Sequence, residues 1–180
     1  MNRYEEICEA SENAIRKWIE SRERSWRYLF AISQGLAAHS GVPPDKIFYL
    51  RSNNLSGGER RYRVPEEGGS YTLPGAATFE DDGFWHLGIG VTLSPAGTFP
   101  ERWIGAVVCV SDEGSQPKVK IGVNDKPRTV DLSDTRQCAA FCDELAVFLK
   151  EKFDNPQKIT RQSEQIGFST VPNPQQGEKQ

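Results

Sequence analysis

Five runs between residues 76 and 132 alternate apolar and polar side chains with a period of two residues. The runs cover residues 76–79, 84–93, 102–110, 118–123 and 128–132, and the segments that join them are only four to eight residues long. A parallel crossover needs about a dozen residues or more, whereas antiparallel neighbours can be joined by a short turn. The alternation and the short connections therefore predict an antiparallel meander. If the segment from Ser94 to Glu101 joins two of these strands, His86 should fall opposite Cys109 or Val110.

Helices are predicted on both sides of this sheet. Residues 3–38 contain no proline and their first glycine is Gly35, which favours a helix, or a helix pair broken near residues 21–25, within residues 1–40. Residues 134–154 place an apolar stripe on one side of a second helix. The fold class expected is α+β: an N-terminal helix or helix pair, a five- to six-stranded antiparallel meander sheet, and a C-terminal helix packed on that sheet.

One domain is predicted for residues 1–155, with a flexible polar tail at 156–180. The domain comprises a helical segment at 1–40, the sheet at 46–132 with a long loop at 51–75, and the helix at 134–154. The tail is rich in Gln, Pro and charged residues, which offer little apolar surface to bury. Ile166, Phe168 and Val171 are its exceptions, since they could dock on a partner or on the sheet.

Charge and cysteine content bear on location and partners. The net charge of −3 gives no strong field toward nucleic acid or acidic membranes. The N-terminus has no apolar segment typical of a secretory signal, and the chain has no apolar run of membrane-spanning length. The four cysteines show neither C-x-x-C spacing nor a disulfide framework. A cytoplasmic protein without membrane contact is expected.

Residues 55–59 read LSGGE, which resembles the signature loop of ABC-type ATPases. That family also needs an upstream phosphate-binding loop ending in Gly-Lys-Ser or Gly-Lys-Thr, and neither tripeptide occurs in the chain. The sequence therefore predicts that the chain does not bind ATP.

Three groups of residues are candidates for chemical sites. The acidic residues 80–82 with His86 could bind a metal, but Asp82-Gly83 is typical of a hairpin turn. Cys138 and Cys142 are one helical turn apart, yet they lie on the apolar stripe of their helix. Cys109 and His86 could form a nucleophile–base pair in a small hydrolase or transferase. We predict no catalytic residue, no metal and no cofactor, and keep the Cys109–His86 enzyme as an alternative.

Arginines and aromatic residues provide the candidate binding surface. Arginine, tyrosine and tryptophan are the residues that most often anchor protein interfaces. The sequence therefore predicts a non-enzymatic protein-binding accessory or adaptor subunit of a larger intracellular assembly. The alternative is a nucleic-acid-associated subunit that uses the arginine-rich segment 51–71. The predicted partner-binding residues are Arg51, Arg60, Arg61, Tyr62, Arg63, Tyr71, Trp18 and Trp26.

Overall fold

The computed structural model describes residues 2–54, 60–63, 70–93, 101–112, 116–154 and 164–169. Within this part of the chain it contains three α-helices, one short 3₁₀ helix and eight strands. The helices are α1 (Arg3–Ser40), α2 (Leu73–Ala76) and α3 (Thr135–Asp154), and the 3₁₀ helix covers Pro44–Lys46. The strands are β1 (Ile47–Asn54), β2 (Arg60–Arg63), β3 (Thr78–Phe79), β4 (Trp85–Thr92), β5 (Glu101–Ser111), β6 (Lys118–Ile121), β7 (Arg128–Thr129) and β8 (Glu164–Ser169).

The helix α1 is continuous for 38 residues, so the sequence alternative of a broken helix pair is resolved in favour of one helix. Its start is fixed by a capping box, in which the Asn2 side chain accepts from the Glu5 backbone and the Glu5 side chain accepts from the Asn2 backbone. It ends at Gly41. At 1.5 Å per residue the helix is about 57 Å long. Its first buried residue is Ser25, so only the C-terminal half lies on the body of the protein.

The predicted antiparallel meander is confirmed. Strands β3 to β7 are neighbours in chain order, each pairing with the next. Strand β1 pairs with the same edge of β4 as β3 does, but at residues 88–91, whereas β3 pairs at residues 85–86. The main strand order is β2-β1-β4-β5-β6-β7. The register between β4 and β5 pairs His86 with Cys109, one of the two positions predicted.

Side-chain alternation divides the sheet into two faces. One face packs against α1 and α3 and forms the larger core, which includes Leu87, Ile89, Val108 and Val110. The predicted C-terminal helix on the sheet is therefore confirmed. The opposite face carries a second, smaller cluster: Leu50, Phe84, Trp103, Val107 and Cys109, with Phe48 and Val123 packed against it.

The smaller cluster depends on a glycine. Phe48 is the cross-strand partner of Gly90, and a Cβ at Gly90 would lie 2.4 Å from the Phe48 ring. The Phe48 ring also packs edge-on against Trp103, with ring centroids 5.8 Å apart. The space above Gly90 is therefore filled by the side chain of its strand neighbour Phe48.

The helices α1 and α3 approach each other closely at Gly35. A Cβ at this position would lie 2.6 Å from the Cys142 sulfur, so a larger residue would require the Cys142 side chain or the helices to shift. The thiols of Cys138 and Cys142 point toward α1 backbone carbonyls, and the Cys142 Sγ lies 3.5 Å from the Ile32 oxygen. Burial, with the neighbouring Cys138, raises the pKa of the Cys142 thiol to about 12. Both cysteines therefore serve core packing.

Short strands lie within the predicted loop and the predicted tail. The predicted loop 51–75 includes the end of β1, strand β2 and most of the one-turn helix α2. The predicted tail 156–180 includes β8, which pairs with β5 from Glu101 to Ala106. Both strands are short and polar, so neither shows the apolar alternation typical of a strand; β2 pairs with β1 just before it in the chain, whereas β8 pairs with a strand about 60 residues earlier. The remainder of the tail lies outside the described residues.

Candidate functional site

A charged cluster lies beneath the β3–β4 turn, on the face of the sheet away from the helices. Asp82 is at its centre and is held by the predicted turn, where its carboxylate accepts from the Phe84 backbone at 3.1 Å. Both carboxylate oxygens lie 3.0 Å from His86 Nε2, and Lys120 Nζ donates to Oδ2 at 2.8 Å. Lys120 also donates to the Val123 carbonyl at 3.0 Å and lies over the Phe84 ring. One carboxylate thus links two strands, β4 and β6, with the turn before β4 and, through Lys120, the segment after β6.

Burial controls the protonation of this cluster. The His86 side chain is fully buried, and this burial lowers its pKa although Asp82 opposes the effect. Burial alone would raise the pKa of Asp82, but the bonds from Lys120 and His86 together lower it. At neutral pH His86 is therefore neutral, and its Nε2–H donates to an ionised Asp82 that is neutralised by Lys120.

The Cys109–His86 pair is adjacent in space, as the register predicted, but it is deeply enclosed. Cys109 and His86 are both 0% exposed. A nucleophile and its base must reach a substrate, and the Nε2 of His86 is already engaged by Asp82. The arrangement is a charge network that connects the β3–β4 turn to strands β4 and β6.

A second cluster lies where α1 joins the body. The Arg22 guanidinium stacks between the rings of Trp18 and Trp26, at 5.1 and 4.9 Å from their centroids. Trp26 packs edge-on against Trp85, with centroids 5.7 Å apart, and Trp18 lies 6.2 Å from the same ring. Both tryptophans are predicted partner-binding residues. Trp26 is partly buried and packs against the larger core, whereas Trp18 is 48% exposed.

The arginine segment forms a hairpin. The register pairs Arg51 with Arg63, Ser52 with Tyr62, Asn53 with Arg61, and Asn54 with Arg60. Strand β1 pairs with β4 only from Ile47 to Leu50. The arginines of the hairpin therefore lie beyond the last residue of β1 that pairs with β4. Arg51 is exposed. The side chains of residues 60–63 lie outside the described part of the structure. Residues 55–59, which resemble the ATPase signature, are outside it entirely.

Tyr71 is half-buried and packs against the larger core. The helix α2 begins two residues later and contacts β1 and β4.

The structure brings together residues that the sequence did not connect. Lys120 is 38 positions from Asp82. In the sequence it is notable only because it lies between the apolar residues Val119 and Ile121. Arg22 is one of several basic residues of α1. The feature of the sequence that indicates its ring contacts is a tryptophan four positions away on either side. No group of three or more metal-binding side chains occurs within the residues described.

Comparison with protein-family models, with curated proteins and with solved structures found no match. Among the helices described, none combines the length and apolar character needed to cross a membrane.

Proposed function

We propose that the chain is a non-enzymatic protein-binding subunit of a larger assembly, and that its β1–β2 hairpin binds an acidic segment of a partner protein. The observation that carries this proposal is the register, which places Arg51 directly opposite Arg63. Residues 51–63 contain four arginines and one glutamate.

Like charges directly opposite each other destabilise an antiparallel pair. A bound carboxylate removes that repulsion, and the planar guanidinium group suits carboxylates because it can donate two parallel hydrogen bonds. The hairpin is thus a surface whose own charge favours an acidic partner. The buried state of His86 and Cys109 supports a role without catalysis.

Nucleic acid is the second candidate, because a two-stranded ribbon is one of the shapes that fit the major groove of DNA. The net charge of −3 opposes both candidates, but it opposes a duplex more strongly because DNA carries one phosphate charge per about 1.7 Å.

The test replaces Arg60, Arg61 and Arg63 together by alanine. Fluorescence anisotropy measures binding of labelled poly-L-glutamate and of a random-sequence DNA duplex at two salt concentrations. The wild type should bind the polyglutamate, and the triple variant should bind it about 30-fold more weakly, as the loss of about 2 kcal/mol of interface contacts requires.

The matched control replaces Arg16, Arg27 and Arg136, three exposed arginines elsewhere, by alanine and should bind like the wild type. The melting temperatures of both variants check folding. Preferential binding of the duplex, with a steep loss at higher salt, would favour the nucleic-acid candidate. Equal binding by the two triple variants would contradict a hairpin site.

A further inference from the structure

The N-terminal half of α1 carries an apolar stripe that lies outside the body of the protein. The stripe consists of Tyr4, Ile7, Cys8, Ala14, Ile15 and Trp18, with Ser11 as its one polar member; Trp18, at its C-terminal end, also contacts Trp85 of the sheet. Tyr4 is 74% exposed, Ile7 67% and Ile15 56%. At 100° per residue these positions lie on the same side of the helix as Leu29, Ile32 and Leu36, which are 0% exposed in the core. A core-type face therefore continues into solvent for about four turns, far more than scattered single surface residues would give.

We infer that a second copy of this chain covers the stripe, with the two α1 helices antiparallel. Tyr4, Ser11 and Trp18 are spaced by seven residues, and Ile7, Ala14 and Ser21 repeat with the same spacing three residues later. Reversing one helix places the first set of one copy opposite the second set of the other. In that register the residue numbers of facing positions add to 25, so Ile7 faces Trp18 and Ser11 faces Ala14.

Charge selects the antiparallel direction. Residues 2–12 contain Arg3 and four glutamates, a net charge of −3 from one basic and four acidic residues. Residues 13–24 contain four basic and two acidic residues, a net charge of +2. A parallel pair would place like charges side by side along its whole length, whereas the antiparallel pair places each acidic end beside a basic segment.

The length of the exposed segment also fits. In this register Asn2 faces position 23 of the other copy, and the first buried residue of α1 is Ser25. Each helix therefore ends where the other body begins, beside Phe79, which is 51% exposed, and the Trp18–Trp85 contact. Two strips about 33 Å long and about 12 Å wide, with these end contacts, approach the ~1,000 Å² of a specific interface.

The association is tested by sedimentation equilibrium on the full chain. The wild type should be a dimer. Ile15→Glu should weaken dimerisation at least 100-fold, because symmetry places the new carboxylate twice within an apolar contact. Asn13→Glu adds the same charge on the opposite side of α1 and should leave the dimer intact. Both positions are exposed in the single chain, so circular dichroism should show the same fold for both variants. A monomeric wild type, or equal weakening by both variants, overturns the inference.

Disulfide trapping tests the direction. Variants Ser11→Cys and Ala14→Cys, each also carrying Cys8→Ser, are mixed and oxidised. The antiparallel register brings position 11 of one copy next to position 14 of the other, so the mixed disulfide should dominate. Predominant disulfides within each variant, or Cys8–Cys8 disulfides in the wild type, would indicate parallel helices, since the antiparallel register separates the two Cys8 residues by about 13 Å along the axis. The residues involved differ from those of the hairpin, so either proposal can fail without the other.

Discussion

At the scale of single residues, Asp82 is the side chain that most clearly ties local sequence to tertiary structure. The residue pair Asp82-Gly83 predicts a turn, and the length of the segment from Ser94 to Glu101 predicts that His86 lies opposite Cys109 or Val110; the structure has the turn and pairs His86 with Cys109. The role of Lys120 could not be predicted, because a lysine on a strand is normally exposed. It is buried here since Asp82 supplies the opposite charge and Val123 a carbonyl.

The buried histidine should make stability depend on pH. Because the pKa of His86 is lowered by folding, the unfolded chain binds a proton below about pH 6.5 that the folded chain does not. The free energy of unfolding should therefore fall as the pH drops from 7.5 to 5, by at most about 1.4 kcal/mol per pH unit. The lowered pKa of Asp82 adds a further loss only at more acidic pH, below its ordinary value of 3.8.

Urea unfolding at pH 7.5 and 5 measures this dependence. His86→Asn should lower stability at pH 7.5 but show a smaller change between the two pH values. His39→Gln, at an exposed position near the end of α1, is the control and should retain the wild-type change. An identical pH dependence in the His86 variant would assign the effect to other groups.

At the scale of elements, the sequence predicts those strands whose partners are close along the chain. The runs that become β4 and β5 are long, apolar on alternate positions and joined by one short segment, so periodicity identifies both the strands and their pairing. Strand β2 follows its partner β1 closely but reads Arg-Arg-Tyr-Arg, without apolar alternation, and β8 lacks both the alternation and a nearby partner. The segment of β8 is polar apart from Ile166 and Phe168, and its partner β5 is about 60 residues away. Such pairing depends on an open sheet edge, which only the folded structure presents.

Removal of β8 should therefore destabilise the protein, although β8 lies within the segment predicted to be a flexible tail. A chain that ends at Asp154 leaves the backbone of β5 from Glu101 to Ala106 without this partner. We expect a loss on the order of 2 kcal/mol, or ~5 °C in melting temperature, for the lost hydrogen bonds and contacts. A chain that ends at Ser169 keeps β8 and is the control. Equal melting temperatures for the two truncated chains would show that β8 adds nothing to stability.

At the scale of the whole molecule, α1 has two roles that divide near Ser25. Its C-terminal half is a core element, since Leu29, Ile32 and Leu36 are fully buried and Gly35 allows close contact with α3. Its N-terminal half is exposed on every side apart from the half-buried Cys8 in residues 2–20. The sequence predicted the helix but not this division, because the apolar stripe has the same period in both halves and only the position of the sheet separates them.

This division predicts that residues 2–16 can be removed without loss of the monomer fold. The shortened chain keeps Trp18, Arg22 and Trp26, so the contacts with Trp85 remain. The lost capping box at Asn2 costs about 1 kcal/mol of helix stability at most, and the other removed side chains lie outside the core. Urea unfolding should thus give a free energy within about 1 kcal/mol of that of the monomeric Ile15→Glu chain. The transition of the full chain should move to higher urea as its concentration rises, because association stabilises the folded state, whereas that of the shortened chain should not. A shortened chain that unfolds several kcal/mol more easily would mean that the N-terminal half of α1 packs against its own body.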